Sequence, residues 1–371
     1  MSLRSRLFLH KDPYRKDGGE LFLAALRSTV AKNAAGSEIY ASMLDREGFS
    51  PEELQAEEDI ARIPPIPTLY FKRNRLFCVP ESKLLLRAVS SGTSGTQSEV
   101  GFDLSSLICG LGMLWRFFRH HKLTSIIPVN YIVLGYEPAK HMRAGAVKTA
   151  HLTTKFAPAL RKVYALKDNG TGYDTNIEGV RKALIRYSKS RFPVRFVGFP
   201  AYMAILLKTL EAENIQLKLS PRSAVLLGGG FKGFSDGQLS REELLDLIEK
   251  RLGVKRERCF DFYSAVEHPL AYLRCKEGKF HIPSYSRVLI RDVETLEPLS
   301  AGEAGLINFI TPLVSSMPLA SVMTDDIAVM GSKPCACGNP SPYFELIGRA
   351  GIAGIKTCSA EAAERTGSGE K

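Results

Sequence analysis

The chain has 371 residues, enough for two or three average domains or for one large α/β enzyme body. With 44% hydrophobic and 24% charged residues it sits at the globular average, which excludes collagenous, coiled-coil and disordered classes for its bulk. The formal charge of +11, from 50 Lys and Arg against 39 Asp and Glu, leaves nucleic-acid, anionic-substrate and acidic-partner readings to be weighed against a plain solvated basic surface.

In chain order, the N-terminus lacks the apolar core and small-residue cleavage site of a signal peptide, so a cytoplasmic enzyme is expected. Ser50-Pro51-Glu52-Glu53 reads as a capping box with proline at the first helical position. Ile63-Pro64-Pro65-Ile66-Pro67 then forces extended chain. Residues 1–70 are therefore expected to form a helical preface and linker. From Leu84 onward, apolar runs of strand length alternate with helical patterns. Tyr131–Leu134, Val194–Val197 and Ala224–Leu227 are the strands, and Tyr202–Leu210 and Ser240–Leu252 are helices, the last with its own box in Ser240 and Glu243. This alternation predicts an α/β body over 71–258 built on a largely parallel, covered sheet. After Cys259 the helical period disappears, and Arg287–Arg291 and Gly305–Ile310 predict a smaller β-rich subdomain over 259–349. Residues 350–371 form a short polar tail. The stretch Gly305–Thr324 contains Asn308, Pro312, Pro318 and three serines, which excludes a membrane span.

The charge excess is uneven. Between Glu137 and Asp168 there is no acid, while Lys140, Arg143, Lys148, Lys155, Arg161, Lys162 and Lys167 accumulate. Neither interleaved stacking aromatics nor a recognised module accompanies them, so no nucleic-acid partner is expected. A solvated face, or attraction of an acidic carrier, a nucleotide or another anionic substrate, remains.

Ser90-Ser91-Gly92-Thr93-Ser94-Gly95-Thr96 follows an apolar run. Its glycines let backbone N–H groups converge on phosphate oxygens and its hydroxyls add donors. No Gly-Lys-Ser/Thr closes it, which excludes a P-loop NTPase. Four more stretches accompany it in order: Gly228-Gly229-Gly230, Phe262-Tyr263-Ser264-Ala265-Val266-Glu267, Thr324-Asp325-Asp326 and Ile347-Gly348-Arg349. Each alone has a structural reading; the series resembles the adenylate-forming superfamily of acyl-CoA synthetases and adenylation domains. That resemblance implies ATP as cosubstrate, the Ser/Gly loop on its phosphates, Gly229 and Gly230 beside adenine with Tyr263, Glu267 on magnesium, and Asp326 with Arg349 at the ribose. Ser264, Val266 and Asp325 depart from the Gly, Thr and Gly of the superfamily pattern, which puts the magnesium-side geometry in doubt.

A narrower resemblance covers nearly the whole chain. Ile63–Pro67 with Phe71-Lys72, Glu267-His268-Pro269, Cys275 through Pro283, Met323–Asp326, and Gly348-Arg349 through Lys356-Thr357-Cys358 resemble the acyl-protein synthetases of the bacterial luciferase (LuxE) type. It implies activation of a carboxylic acid, usually a long-chain fatty acid, capture on the enzyme's own cysteine, and delivery to a partner acyl reductase (LuxC-like) or an acyl carrier. The chemistry suits the residues. A carboxylate becomes an acyl donor once AMP is its leaving group, and a thiolate is the side-chain nucleophile to capture it. Cys358 is the candidate acceptor, flanked by Gly351, Gly354 and Ser359. Cys78 and Cys109 sit among apolar neighbours and read as core. His268 is placed as a hydrogen-bonding group to the acyl phosphate, or as a fifth metal-ligand candidate.

The remaining thiols pose a separate question. Cys275, His281, Cys335 and Cys337 make a tetrahedral zinc set in kind and number, and resemble the zinc site of some phenylacetate-CoA ligases; the alternative is a group of unrelated reduced thiols. Two rival functions stay open, a CoA ligase and an adenylate-binding subunit without catalysis. Leu104–Trp115 and Phe199–Leu207 read equally as acyl-channel lining or as core. Only 22 residues follow Arg349, so the lid domain usual in the superfamily is expected to be absent or reduced to the tail, which favours self-acylation.

Overall fold

The computed structural model describes residues 1–15, 19–90, 97–139, 152–229 and 239–349. Within them the helices are α1 (Leu3–Phe8), α2 (Glu20–Gly36), α3 (Glu38–Arg46), α4 (Thr68–Arg73), α5 (Leu104–His120), α6 (Ile177–Ser188), α7 (Pro200–Ala212) and α8 (Arg241–Leu252). The strands are β1 (Ile66–Pro67), β2 (Leu84–Val89), β3 (Glu99–Asp103), β4 (Val129–Tyr136), β5 (Ala159–Asp168), β6 (Tyr173–Thr175), β7 (Val194–Gly198), β8 (Ala224–Gly228), β9 (Cys259–Tyr263), β10 (Tyr272–Leu273), β11 (Phe280–His281), β12 (Arg287–Arg291), β13 (Ala304–Ile310), β14 (Ser321–Met330) and β15 (Tyr343–Arg349). The chain is mixed α/β, with a parallel sheet as the alternating pattern predicts. Its described residues fall into two compact units, 1–122 with 265–349, and 123–264.

The second unit holds that sheet. β9, β8, β7, β4 and β5 run side by side in parallel, and β6 joins β5 antiparallel. β4, β7 and β8 are mostly apolar, with Asn130 and Arg195 as buried polar exceptions, and are buried along almost their whole length, the signature of strands covered by crossover helices. Val180, Leu184, Met203, Leu207, Leu244 and Ile248 of α6, α7 and α8 pack into the same core as Ile132, Phe196 and Val225. α8 starts where the sequence places it: the Ser240 hydroxyl accepts from the Glu243 N–H, the Ser240 N–H donates back to Glu243 at 2.6 Å, and Gly253 ends the helix at φ 65°.

The first unit joins the helical preface to the strands after 265. Its sheet runs β11-β15-β14-β13-β12, antiparallel throughout, with β1 added parallel to β14. Two arginines of β12 hold the preface. Arg287 forms a bidentate pair with Glu57 at 2.6 and 2.8 Å, and Arg291 donates to the Ala61 carbonyl at 2.7 Å. Arg4 of α1 is buried and donates to the Pro312 carbonyl at 2.8 Å and to Ser105 and Ser106 of α5. β2 and β3 form an antiparallel pair beside these elements.

Candidate functional site

In the second unit the candidate residues lie at the carboxyl ends of the parallel strands, the edge where open α/β sheets bind ligands. Gly229 follows β8 at φ 91°, and a Cβ there would come within 3.0 Å of the Phe199 ring. Gly198, the last residue of β7, has φ 137°, and its Cβ would meet the Leu134 carbonyl oxygen at 2.3 Å. These glycines let the chain turn against Phe199, which also lies 6.5 Å from Tyr136. Tyr263 closes β9 half-buried. Phe199, Tyr202, Met203, Leu206 and Leu207 are buried in the unit's core, so the stretch from Phe199 packs inward. Of the basic run, Lys162 and Lys167 line a cavity of about 300 Å³ with Lys182 and Arg186. Burial lowers the Lys162 ammonium pKa, and its Nζ donates to Thr154 at 2.8 Å.

In the first unit the Ser/Gly loop departs from β2 and returns into β3. Its two ends are tied: Ser90 N–H donates to the Ser98 carbonyl at 2.9 Å, and Ser98 N–H donates to the Ser90 hydroxyl at 2.8 Å. The Ser98 hydroxyl, wholly buried, donates to Oε1 of Glu267, itself buried. The expected magnesium ligand is thus fastened to the neck of the expected phosphate loop across 169 residues of sequence. Ser98 escapes sequence reading, because a serine after a Ser/Thr/Gly run carries no signal of so distant a partner.

His268 is wholly buried. Its Nε2 lies 2.6 Å from the Tyr272 hydroxyl, which lies 2.6 Å from that of Ser286, which donates to the Ile310 carbonyl. The ring stacks on Phe309 at 4.6 Å. Its Nδ1 is buried without a hydrogen-bond partner among the described residues. Desolvation alone pulls the imidazole pKa down to about 3, so it is neutral at physiological pH.

Asp326 and Arg349 face each other across β14 and β15. Arg349 Nε is 3.7 Å from Asp326 Oδ1, and Nη2 is 3.9 Å from Asp325 Oδ2. Asp325, which departs from the superfamily pattern, therefore gives Arg349 a second carboxylate.

Cys275, His281, Cys335 and Cys337 come together with all ligand atoms within 4.8 Å of one another. The Cys275 and Cys335 sulfurs are 3.8 Å apart, and Cys337 Sγ is 3.1 Å from His281 Nε2. Two tight turns aim the thiols, one closed by Gly278 N–H on the Cys275 carbonyl at 3.0 Å, the other by Gly338 N–H on the Cys335 carbonyl at 3.2 Å. Both glycines have positive φ. His281 Nδ1 lies 3.1 Å from the Ser341 carbonyl, which places the ring proton there and leaves Nε2 unprotonated, its lone pair facing the sulfurs. Burial first, then the neighbouring Cys335 and Cys275, push the Cys337 thiol up to about 11.

Ser91, Gly92, Thr93, Ser94, Gly95, Gly230 and Cys358 lie outside the described residues, as do Lys140, Arg143 and Lys148. Cys78 and Cys109 are buried. Among the described residues no helix is long and apolar enough to cross a membrane.

Residues 20–366 match the family described as Acyl-protein synthetase, LuxE. The chain belongs to that family. It is accordingly a ligase with acyl-protein synthetase activity. Among similar curated proteins is the long-chain-fatty-acid–luciferin-component ligase of Aliivibrio fischeri, 24% identical over 314 residues, which are 81% of this chain and 78% of that one. A phenylacetate-coenzyme A ligase of Thermus thermophilus is 23% identical over 81% of this chain and 62% of its own length. Among solved structures, a 2-hydroxyisobutyryl-CoA ligase in its postadenylation state superposes with a TM-score of 0.66 at 16% identity, covering 89% of this chain and 67% of that one. That likeness gives this LuxE-family chain the fold of the adenylate-forming ligases.

Proposed function

We propose that the chain activates a carboxylic acid, of the long-chain fatty class named for its relatives, as the acyl-adenylate, and then holds the acyl group as a thioester on Cys358 for delivery to a partner acyl reductase. The observation that carries this reading is the family match over residues 20–366, which spans every motif of the expected site and Cys358 itself. In the first step the acid's carboxylate oxygen attacks the α-phosphorus of ATP and pyrophosphate leaves. In the second the Cys358 thiolate attacks the acyl carbon, the carbon–oxygen bond to AMP breaks, and AMP departs with the electron pair.

Asp326 and Arg349 would orient the ribose, and Tyr263 with Gly229 and Gly230 would border the adenine. The loop Ser90–Gly95 would donate to the phosphates. Glu267 would hold magnesium, which when bound draws charge from the phosphate oxygens. The buried carboxylate fits that role, because Ser98 occupies Oε1 and the harder task left to Oε2 is ligation of a cation. His268, neutral and stacked, would position the segment bearing Glu267. The Cys/His cluster fits zinc: three sulfurs and one imidazole nitrogen converge, and the imidazole tautomer is already set. A closed four-ligand set makes that ion structural.

Intact-mass measurement after incubation with ATP, magnesium and a panel of acids tests the reading. The expected result is an increment of the acid less one water on the peptide containing Cys358. Cys358→Ser should keep acid-dependent pyrophosphate exchange and lose the increment. The likeness to a phenylacetate-CoA ligase favours a second reading, release to CoA. A Cys358→Ser variant that still forms acyl-CoA at the wild-type rate would establish it in place of self-acylation.

A further inference from the structure

The hydrogen bonds from His268 through Tyr272 to Ser286 have a direction that their end point sets. All three side chains are wholly buried. The Ile310 carbonyl can only accept, and Ser286 donates to it at 3.2 Å. A serine hydroxyl has a single proton to give, so across the 2.6 Å contact between Ser286 and Tyr272 the proton comes from Tyr272. The Tyr272 proton is then committed. Across its 2.6 Å contact with His268, the imidazole Nε2–H is therefore the donor. A neutral imidazole protonated on Nε2 is bare on Nδ1, and Nδ1 is the ring nitrogen buried without a hydrogen-bond partner among the described residues. The other tautomer would bury an N–H there, and interiors tolerate an orphaned donor less well than an orphaned acceptor.

The two ends of this series say what it does. A histidine that acts as a base gains basicity from a carboxylate behind its other nitrogen. Here the series ends on an uncharged backbone carbonyl of β13, so it holds the ring without activating it. The ring also stacks on Phe309 at 4.6 Å and lies near-parallel to Tyr272 at 5.7 Å. The backbone beyond is fixed as well: Leu270 N–H donates to the His268 carbonyl at 2.7 Å across Pro269, whose φ is locked. Glu267 directly precedes His268, and Ser98 holds its Oε1. The carboxylate is thus tethered twice, by a hydroxyl on its own oxygen and by the immobilised residue that follows it.

We propose that His268, Tyr272 and Ser286 form a hydrogen-bonded strut on the β13 backbone, with protons running from His268 Nε2 to Tyr272, from Tyr272 to Ser286 and from Ser286 to Ile310. Tyr272 and Ser286 are positioning residues for the Glu267 carboxylate, reached only through His268. The strut rests on the function proposed above, in which Glu267 would hold magnesium, and adds what aims the carboxylate oxygen that Ser98 leaves open.

The test uses the full chain and the variants Tyr272→Phe and Ser286→Ala. Phenylalanine keeps the ring against Phe309 and Phe344, at 5.4 and 5.3 Å, and removes only the hydroxyl. The magnesium concentration for half-maximal acid-dependent pyrophosphate exchange should rise about threefold to tenfold in Tyr272→Phe, the span of one hydrogen bond, with a smaller change in kcat. Ser286→Ala should raise it less, because Tyr272 keeps its bond to His268. In a Glu267→Gln background Tyr272→Phe should add nothing. NMR of wild type with labelled histidine rings should show the His268 proton on Nε2. The labelled Glu267 carboxyl signal, assigned by its loss in Glu267→Gln, should shift in Tyr272→Phe. A His268 proton on Nδ1 overturns the proposal. An unchanged magnesium requirement in Tyr272→Phe does so too, as does an equal rise in both backgrounds, which marks lost packing. If Tyr272→Phe does not fold, Ser286→Ala decides: a raised magnesium requirement supports the strut and an unchanged one overturns it. If Glu267→Gln exchanges pyrophosphate at the wild-type rate, the failure belongs to the functional reading; the tautomer and the carboxyl shift still decide the strut.

Discussion

Two sites in the first unit hold charged or metal-binding groups in opposite ways. The cluster of Cys275, His281, Cys335 and Cys337 is set by short-range turns, each thiol aimed by a backbone hydrogen bond within a few residues, and its four ligand atoms crowd within 4.8 Å. Glu267 is instead held by one hydroxyl from far along the chain, Ser98, inside a buried pocket. The first arrangement concentrates donors that repel or compete unless a cation joins them. The second is already satisfied on one oxygen and leaves the other for work. The structural zinc and the magnesium proposed above would make these different demands: closure in one case, an open position in the other.

The strongest way to break the comparison is to empty the cluster. Cys335→Ser, or prolonged treatment with a zinc chelator, should destabilise the first unit by upward of about 4 kcal/mol, the range reserved for lost metals and disulfides. Thermal melts with and without chelator, paired with elemental analysis for one zinc per chain, check this. A chain that contains no zinc and melts unchanged would return the cluster to four reduced side chains.

Next in size is the Glu267 site. If Glu267 holds magnesium as proposed, Glu267→Gln should cut acid-dependent pyrophosphate exchange by about a hundredfold or more, since it removes the charge that would face the cation. Ser98→Ala should leave the carboxylate buried without its donor, a loss of about 1.5–3 kcal/mol. Its signature is a raised magnesium requirement with a smaller change in kcat, rescued by Ser98→Thr. Equal sensitivity of the Ser98→Ala variant at all magnesium concentrations would make Ser98 a packing residue only.

These two sites also differ in how far the sequence discloses them. Turn chemistry is local, so the pattern Cys-x-Cys-Gly with Cys275 and His281 was readable, as were the buried runs of β4, β7 and β8 and the box at Ser240. Asp326 opposite Arg349 follows from strand register, which the motif order anticipates. Ser98, Tyr272 and Ser286 were not readable. Each is a common residue whose role comes from a partner brought close by the fold, and periodicity carries no information about such pairings. Leu104–Trp115 was ambiguous for a related reason: apolar spacing marks the faces of a helix, and only the structure shows Cys109 and Met113 buried while Leu104, Ile108 and Leu111 are exposed.

A smaller effect separates the buried histidine from both sites. His268 binds no proton in the folded state until the pH approaches about 3, whereas in the unfolded chain it does so near 6.5. Stability should therefore be lost as the pH falls below about 6.5, by up to about 1.4 kcal/mol per pH unit from this residue. Denaturant titrations at pH 7, 6 and 5 should show a weaker dependence in His268→Asn than in wild type. An identical dependence would place the titrating group elsewhere.

The smallest expected effect lies in the second unit and tests whether its glycines are shaped for a ligand or only for a turn. At Gly229 the backbone has φ 91°, and an added Cβ would press on Phe199 at 3.0 Å. Left-handed backbone costs an ordinary residue about 1–2 kcal/mol, so Gly229→Ala should lower stability by about that much. If the turn also borders the adenine, the displaced ring and the added methyl will raise the KM for ATP several-fold more than they lower the melting temperature would suggest. Gly253→Ala supplies the control: it has φ 65° at the end of α8, with its nearest neighbour beyond 3.4 Å. A control with the same stability loss and the same KM as Gly229→Ala would show that the turn after β8 shapes the chain and leaves the nucleotide untouched.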